Sequence, residues 1–213
     1  MTGRLAVISG FSGAGKGTLV KRLLEKYPED YRLSISKTTR APRKGEVDGI
    51  HYFFVSRERF ESEIEDGQFI EHAEFNGNYY GTPFAWVLEQ LESGQDVLLE
   101  IEVQGALQVK ERFPDAVLIF VTPPSMQELV ARLLKRGTET PEDIRNRLEI
   151  AGVRECRLMP DYDFIVVNDD LETCVEDIRA MIAGTFEKKD MSALISRISD
   201  EIQTILESGE LTL

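Results

Sequence analysis

The run Ser9-Gly10-Phe11-Ser12-Gly13-Ala14-Gly15-Lys16-Gly17-Thr18 constrains this chain more than any other segment. It follows the apolar stretch Leu5-Ala6-Val7-Ile8 and leads into Thr18-Leu19-Val20-Lys21-Arg22-Leu23-Leu24, whose apolar spacing is helical. Strand, glycine-rich turn and helix, in that order, build a phosphate-binding loop. The glycines let successive backbone N–H groups converge on one anion, and the helix N-terminus adds partial positive charge. Lys16 then reaches the outer phosphates of a nucleoside triphosphate. The usual pattern has Ser or Thr directly after the lysine to hold magnesium, whereas here Gly17 intervenes and the hydroxyl comes at Thr18. A plain glycine turn beside a surface lysine is the competing reading, and it leaves the register of all three elements unexplained.

A length of 213 residues suffices for one sizeable core with an inserted flap or two. The net charge of -13 comes with no basic tail, which argues against nucleic acid or an anionic membrane as partner. Any polyanionic ligand must therefore meet local clusters of Arg and Lys. Cys156 and Cys174 form neither a disulfide framework nor a metal-binding spacing, and both are expected to be small buried hydrophobes. The N-terminus lacks a secretion signal and no apolar run reaches membrane-spanning length, so the chain reads as cytoplasmic.

Strands and helices are expected to alternate. The first strand is Arg4 to Ser9, and its helix runs from Lys16 to Lys26, ahead of Pro28. Further strands are expected at Asp96 to Glu102, Ala116 to Thr122 and Asp163 to Asn168. Ser125 with Glu128 reads as a capping box, Thr140-Pro141 as a second helix start, and Leu171 to Ile182 as a helix. Near-continuous apolar strands separated by helices predict an α/β fold, a parallel sheet with helices on both faces. Beyond Lys188, Met191, Leu194, Ile195, Ile198, Ile202, Ile205 and Leu206 recur at helical steps. An amphipathic helix over 188–213 must pack on its own core or on a second subunit, which leaves a homodimer open.

Residues 36–82 break the βα rhythm. They carry Ser36-Lys37-Thr38-Thr39-Arg40-Ala41-Pro42-Arg43-Lys44-Gly45-Glu46, then His51-Tyr52-Phe53-Phe54-Val55, Phe69-Ile70-Glu71-His72-Ala73-Glu74-Phe75 and Gly77-Asn78-Tyr79-Tyr80-Gly81-Thr82. Clustered arginines in so acidic a chain point to a dedicated anion site, because guanidinium groups grip phosphate oxygens bidentately. The tyrosines can donate O–H bonds to the same phosphate.

Taken with the glycine loop, these runs resemble the guanylate kinase family in order and spacing over about residues 4 to 185. The Arg136-Gly137-Thr138-Glu139-Thr140 stretch, the Arg145-Asn146-Arg147 helix and Val166-Val167-Asn168-Asp169-Asp170 match as well. The resemblance implies a P-loop core (1–35, 83–135 and 151–187), a GMP-binding flap (36–82) and a lid (136–150). It implies transfer of the γ-phosphoryl group of ATP to GMP, and to dGMP, in purine nucleotide metabolism. Gly10, Phe11, Ser12, Gly13, Ala14, Gly15, Lys16, Gly17 and Thr18 would hold ATP, with Arg136 and Arg147 closing over the transferring group. Arg40, Arg43, Tyr52 and Tyr80 would grip the GMP phosphate, while Ser36, Glu71, Thr82 and Glu102 would read guanine. Guanine offers N1–H and N2–H donors side by side, which the carboxylate of Glu71 can accept together. Mg2+ would arrive with ATP, and Thr18 and Glu100 are the candidates to touch it. Two other classes fit less well: an interaction module that kept the fold and lost catalysis, and a kinase of another monophosphate or a ribose phosphate. The intact loop with its Arg and Tyr set opposes the first, and Glu71 with Ser36 opposes the second.

Overall fold

The structure, a computed structural model, describes residues 2–75, 77–137 and 140–208. Strand β1 (Leu5–Gly10) is wholly buried, and helix α1 (Lys16–Lys26) follows it. Next come β2 (Tyr31–Leu33), β3 (Lys37–Thr38), β4 (Phe53–Phe54), α2 (Arg57–Glu65), β5 (Phe69–Phe75) and β6 (Asn78–Pro83). They are followed by α3 (Phe84–Glu92), β7 (Asp96–Glu100), α4 (Val103–Arg112), β8 (Val117–Thr122), α5 (Met126–Arg136) and α6 (Pro141–Ile150). A π-helical turn (Ala151–Glu155) leads into α7 (Cys156–Leu158), and the chain ends with β9 (Phe164–Val167), α8 (Leu171–Ala183) and α9 (Ser192–Ser208). Among the described residues, no helix is long and apolar enough to cross a membrane.

Two compact units result, one of Met1–Val7 and Leu24–Ala116, the other of Ile8–Leu23 and Val117–Leu213, with β1 contributing to both. In the first unit β2, β7 and the start of β1 lie in that order, and β2 pairs parallel with β7. A second sheet, ordered β4-β3-β6-β5, forms from the polar stretch that broke the rhythm. Its β5–β6 hairpin is antiparallel, with a register shift between Phe69 and His72. Phe60 of α2 packs under this sheet, stacked on Phe69 at 4.3 Å and on Tyr79 at 5.3 Å between centroids. Each such pair adds to the apolar burial that holds a small sheet together.

In the second unit the end of β1 neighbours β8, which pairs parallel with β9 from Ile119↔Phe164 to Thr122↔Val167. Leu118, Ile119, Phe120 and Val121 are buried, as the continuous apolar run predicts for a strand covered on both faces. Phe11 meets Phe120 edge-on at 5.0 Å, which ties the phosphate loop to the core beneath it. Helix α9 buries Ile198, Ile202 and Ile205 and packs on α5, α6 and α7 of its own chain. Residues 209–213 of the expected tail helix lie outside the described residues.

Two local expectations change. The strand expected to reach Glu102 ends at Glu100, because Glu102 takes an extended backbone as the residue that opens α4. Ser125 does cap α5 by accepting from the Glu128 N–H, but the Glu128 carboxylate turns to Arg132 at 3.0 Å and no reciprocal box closes. The reciprocated box is at α6, where Thr140 and Asp143 exchange both bonds ahead of Pro141.

Candidate active site

The loop between β1 and α1 turns on glycines whose backbone no other residue tolerates. Gly10 has φ 141°, and a Cβ there would stand 2.0 Å from the Val121 carbonyl oxygen. Gly15 has φ 98°, with its missing Cβ space filled by the Asn168 amide. Lys16 begins α1, and its Nζ donates to the carbonyls of Gly10 at 2.7 Å and Phe11 at 3.1 Å, so the ammonium lies across the loop. Gly17 and Thr18 are exposed in the first turn, and the Thr18 N–H is bonded to the Gly15 carbonyl at 3.1 Å.

Side chains from three later elements reach this loop. Arg147 of α6 donates to the Ser12 hydroxyl. Asn168, just past β9, donates to the Ala14 carbonyl at 2.7 Å. Arg132 of α5 donates to the same carbonyl at 3.2 Å and to the Asn168 carbonyl at 3.1 Å. Sequence reasoning gave Arg132 no role, and its only local signal is a Glu128 four residues earlier, ordinary on any helix surface. The side chain of Arg136 lies outside the described residues, as do Thr138 and Glu139. Gly137 ends α5 in the left-handed region at φ 65°, so the helix stops directly after Arg136.

The first unit holds the other expected set. Arg40 sits against the Tyr52 and Phe54 rings, 5.5 and 5.9 Å from their centroids, with Tyr52 and Tyr80 themselves 6.1 Å apart. Both arms of its guanidinium engage Glu46, at 2.9 and 2.8 Å. That pairing, with the Arg43 N–H also donating to Glu46, holds the Glu46 carboxyl down to about 2. Burial pushes the Tyr52 phenol up, Tyr80 adding to the effect. The Arg43 side chain is exposed, and the Ser36 carbonyl accepts the Phe53 N–H at 2.9 Å.

Glu71 on β5 is 4% exposed, and the Thr82 hydroxyl on β6 donates to its Oε1 at 2.6 Å. Among the described residues it makes no ion pair. Burial raises its carboxyl to about 7, the Thr82 bond works against that rise, and the charge of Glu102 adds to it. Glu100 and Glu102 are both exposed at the end of β7. His51 accepts the Val47 N–H through Nδ1, and burial lowers the His72 imidazole. Both cysteines are buried, with Cys156 pushed up to about 12.

No cluster of three or more His, Cys, Asp or Glu suited to a metal occurs among the described residues. The candidate donors, the Thr18 hydroxyl and the Glu100 carboxylate, are both exposed. Each is a hard oxygen donor of the kind that suits a magnesium ion keeping its phosphates and water.

A glycine loop between a buried strand and a helix, in a parallel α/β setting, defines a P-loop nucleotide-binding protein. Residues 2–185 match the family model for guanylate kinase. The chain is 50% identical over 188 residues to the guanylate kinase of Halalkalibacterium halodurans, covering 88% of this chain and 91% of that one. It is 48% identical over 202 residues to that of Clostridioides difficile, covering 94% and 98%. The crystal structure of guanylate kinase from Anaplasma phagocytophilum superposes with a TM-score of 0.65 at 34% identity, over 88% of each chain. The chain belongs to the guanylate kinase family.

Proposed function

We propose how this member of the guanylate kinase family moves the γ-phosphoryl group of ATP to GMP, giving ADP and GDP. A phosphate oxygen of GMP attacks the γ-phosphorus in line, the bond to the β,γ-bridging oxygen breaks, and ADP leaves. The attacking oxygen is already ionised, so no strong general base is needed, and catalysis rests on placement and charge.

The loop backbone from Gly13 to Thr18 holds the donor phosphates, and Lys16 leaves the loop carbonyls to meet them. Arg147 and Arg136 close on the transferring group and keep out water, which would otherwise compete as acceptor. ATP-using kinases generally need Mg2+, which when bound would neutralise charge on the phosphates. Thr18 and Glu100 are the residues that would face that ion or its water shell.

On the acceptor side Arg40, Arg43, Tyr52 and Tyr80 grip the GMP phosphate. Glu71 accepts N1–H and N2–H of guanine, Ser36 donates to O6, and Glu102 adds a second carboxylate nearby. Thr82 joins this set with its hydroxyl engaged on Glu71. Adenine presents an acceptor at N1, which a carboxylate repels. Base reading leaves the sugar aside, so dGMP serves as acceptor too. The single observation that supports this reading is Glu71: a buried carboxylate with a hydroxyl partner and no ion pair among the described residues.

The setting we assign is the cytoplasm, without nucleic acid or membrane as partner. A homodimer through α9 would have to use the half-buried Met191, Leu194, Ile195 and Leu206, since Ile198, Ile202 and Ile205 are taken by the chain itself. An ADP-release assay over GMP, dGMP, AMP, UMP and ribose phosphates tests the function. GMP should lead with dGMP behind it, and AMP or UMP rivalling GMP would overturn the assignment.

A further inference from the structure

Strand β5, which carries Glu71, is the outer strand of its sheet, and its free side is met by a helix rather than by another strand. Three residues of α4 at helical spacing make that contact. Gln108 uses its side-chain amide as a strand would use its backbone. Its Nε2 donates to the His72 carbonyl at 3.1 Å, and its Oε1 accepts the His72 N–H at 3.2 Å. Arg112, one turn on, donates to the Phe69 carbonyl. Gly105, one turn back, faces Glu71 itself.

A Cβ at position 105 would stand 2.6 Å from Glu71 Oε2, 3.1 Å from its Cδ and 3.3 Å from Ile101 Cδ1. Contacts below about 3 Å force something to move, and here the nearest atom is the carboxylate. It is buried, and its other oxygen is held by Thr82. Movement therefore breaks the Thr82 bond or turns the carboxylate away from its present direction. The backbone at Gly105 is ordinary helix, so conformation alone does not call for glycine there. Alanine would be the better helix former. The missing side chain is explained by the neighbour.

We propose that Gly105 and Gln108 are the positioning residues for base selection: Gly105 leaves the space in which the Glu71 carboxylate sits, and Gln108 locks β5 to the helix that supplies that space. This rests on the reading of Glu71 as the guanine acceptor. Neither residue touches the base. Both act through the direction in which Glu71 points.

Gly105→Ala should raise the KM for GMP about tenfold and narrow the preference for GMP over AMP, as expected when a binding contact common to ground and transition states is spoiled. The KM for ATP and kcat should stay near their original values. Shortening the acid tests the geometry directly. Glu71→Asp alone should also weaken GMP, but in the Gly105→Ala background its penalty should be smaller, because the shorter side chain withdraws from the new Cβ. Strictly additive penalties in folded variants would overturn the steric link. Gln108→Met, similar in length but unable to make either bond to His72, supplies a second arm should Gly105→Ala fail to fold. It should raise the KM for GMP several-fold with kcat retained. An unchanged GMP KM in Gln108→Met would remove Gln108 from the proposal, and an unchanged KM in folded Gly105→Ala would remove Gly105. Glu71→Gln separates the two layers. If it leaves GMP binding intact, the reading of Glu71 itself fails; if it weakens GMP while both helix variants are silent, only the present inference fails.

Discussion

Arg40 holds Glu46 through both arms of its guanidinium, Nη1 to Oε2 at 2.9 Å and Nη2 to Oε1 at 2.8 Å, while the Arg43 N–H donates to the same Oε2 at 2.6 Å. One carboxylate thus fixes the arginine proposed to grip the acceptor phosphate and shapes the loop bearing the second. Glu46→Gln keeps the size but loses the charge-assisted fork. The KM for GMP should rise about fivefold to twentyfold with little change in kcat, the signature of lost uniform binding. A fall in KM would mean that Glu46 competes with the phosphate for Arg40 rather than presenting it. Arg40→Ala should raise the same constant further, and in both variants the KM for ATP should move less.

Acid should weaken this loop. The Glu46 carboxyl is depressed in the folded chain from 4.5 to about 2, so its contribution is fully present above 4.5 and is lost as pH falls towards 2. Stability of the wild-type chain should therefore drop more steeply across that window than that of Glu46→Gln. Parallel curves from circular dichroism at several pH values would remove Glu46 as a source of acid sensitivity.

Glu71 has the opposite sign. Its carboxyl is raised from 4.5 to about 7 by burial, so the folded chain binds this proton more tightly than the unfolded one. The group therefore costs stability progressively as pH rises from 4.5 to about 7, where the buried charge must form. The proposed binding to the two guanine donors requires the ionised form. GMP should therefore bind with proton release near neutrality, and its apparent KM should climb by up to about tenfold for each pH unit below the Glu71 pKa. The GMP phosphate titrates in the same region, so Glu71→Gln is the reference. Calorimetry in buffers of different ionisation enthalpy reads the released proton directly. Equal release by wild type and Glu71→Gln would sink the assignment.

Lys16 lies across its own loop, bonded to the carbonyls of Gly10 and Phe11. In the role proposed for it, the lysine is drawn outward by the donor phosphates and meets charge that grows in the transition state. Lys16→Ala should lower kcat about a hundredfold or more while GMP binding persists. Near wild-type turnover in this variant would remove the lysine from the reaction.

The phosphate loop was legible in the sequence because its information is local: apolar strand, glycines at fixed steps, lysine and helix occupy one short run. The helix at 16–26 announced itself by apolar spacing and the one at 126–136 by its Ser125 cap, while the helix expected at 171–182 runs one residue further. The second sheet did not announce itself, because β3 and β4 are two residues long and its core comes from pairings such as Phe60 on Tyr79. Arg132 and Asn168 were hidden as loop residues because both act on the Ala14 carbonyl from more than a hundred positions away. Gly105 misleads for another reason: within a helix it reads as a weak position, and its meaning lies in Glu71, on another element. Local patterns carry elements and caps, while long-range complementarity leaves no spacing to read.

The amphipathic tail gives the last test. Its stripe had two outlets, and the structure fills the inner one: Ile198 is 1% exposed, Ile202 2% and Ile205 8%. Ile202 Cγ2 lies so near Gly152 that a Cβ there would approach to 3.0 Å, so α9 seats directly on the π-helical turn after α6. Polar bonds extend the contact, since Glu201 accepts the Met126 N–H at 2.8 Å where α5 begins and Arg145 donates to the Leu206 carbonyl at 3.2 Å. A helix anchored in this way is part of the fold of its unit. Ile202→Ala should cost about 2–5 kcal/mol, the range for a buried aliphatic truncation that leaves a cavity. Removal of everything after Lys188 should expose α5 and α6 and yield an unstable or aggregating chain rather than an active monomer. Urea melts with sedimentation of both variants read this outcome. A soluble, fully active truncated chain of half the original mass in solution would show instead that the tail serves a second subunit.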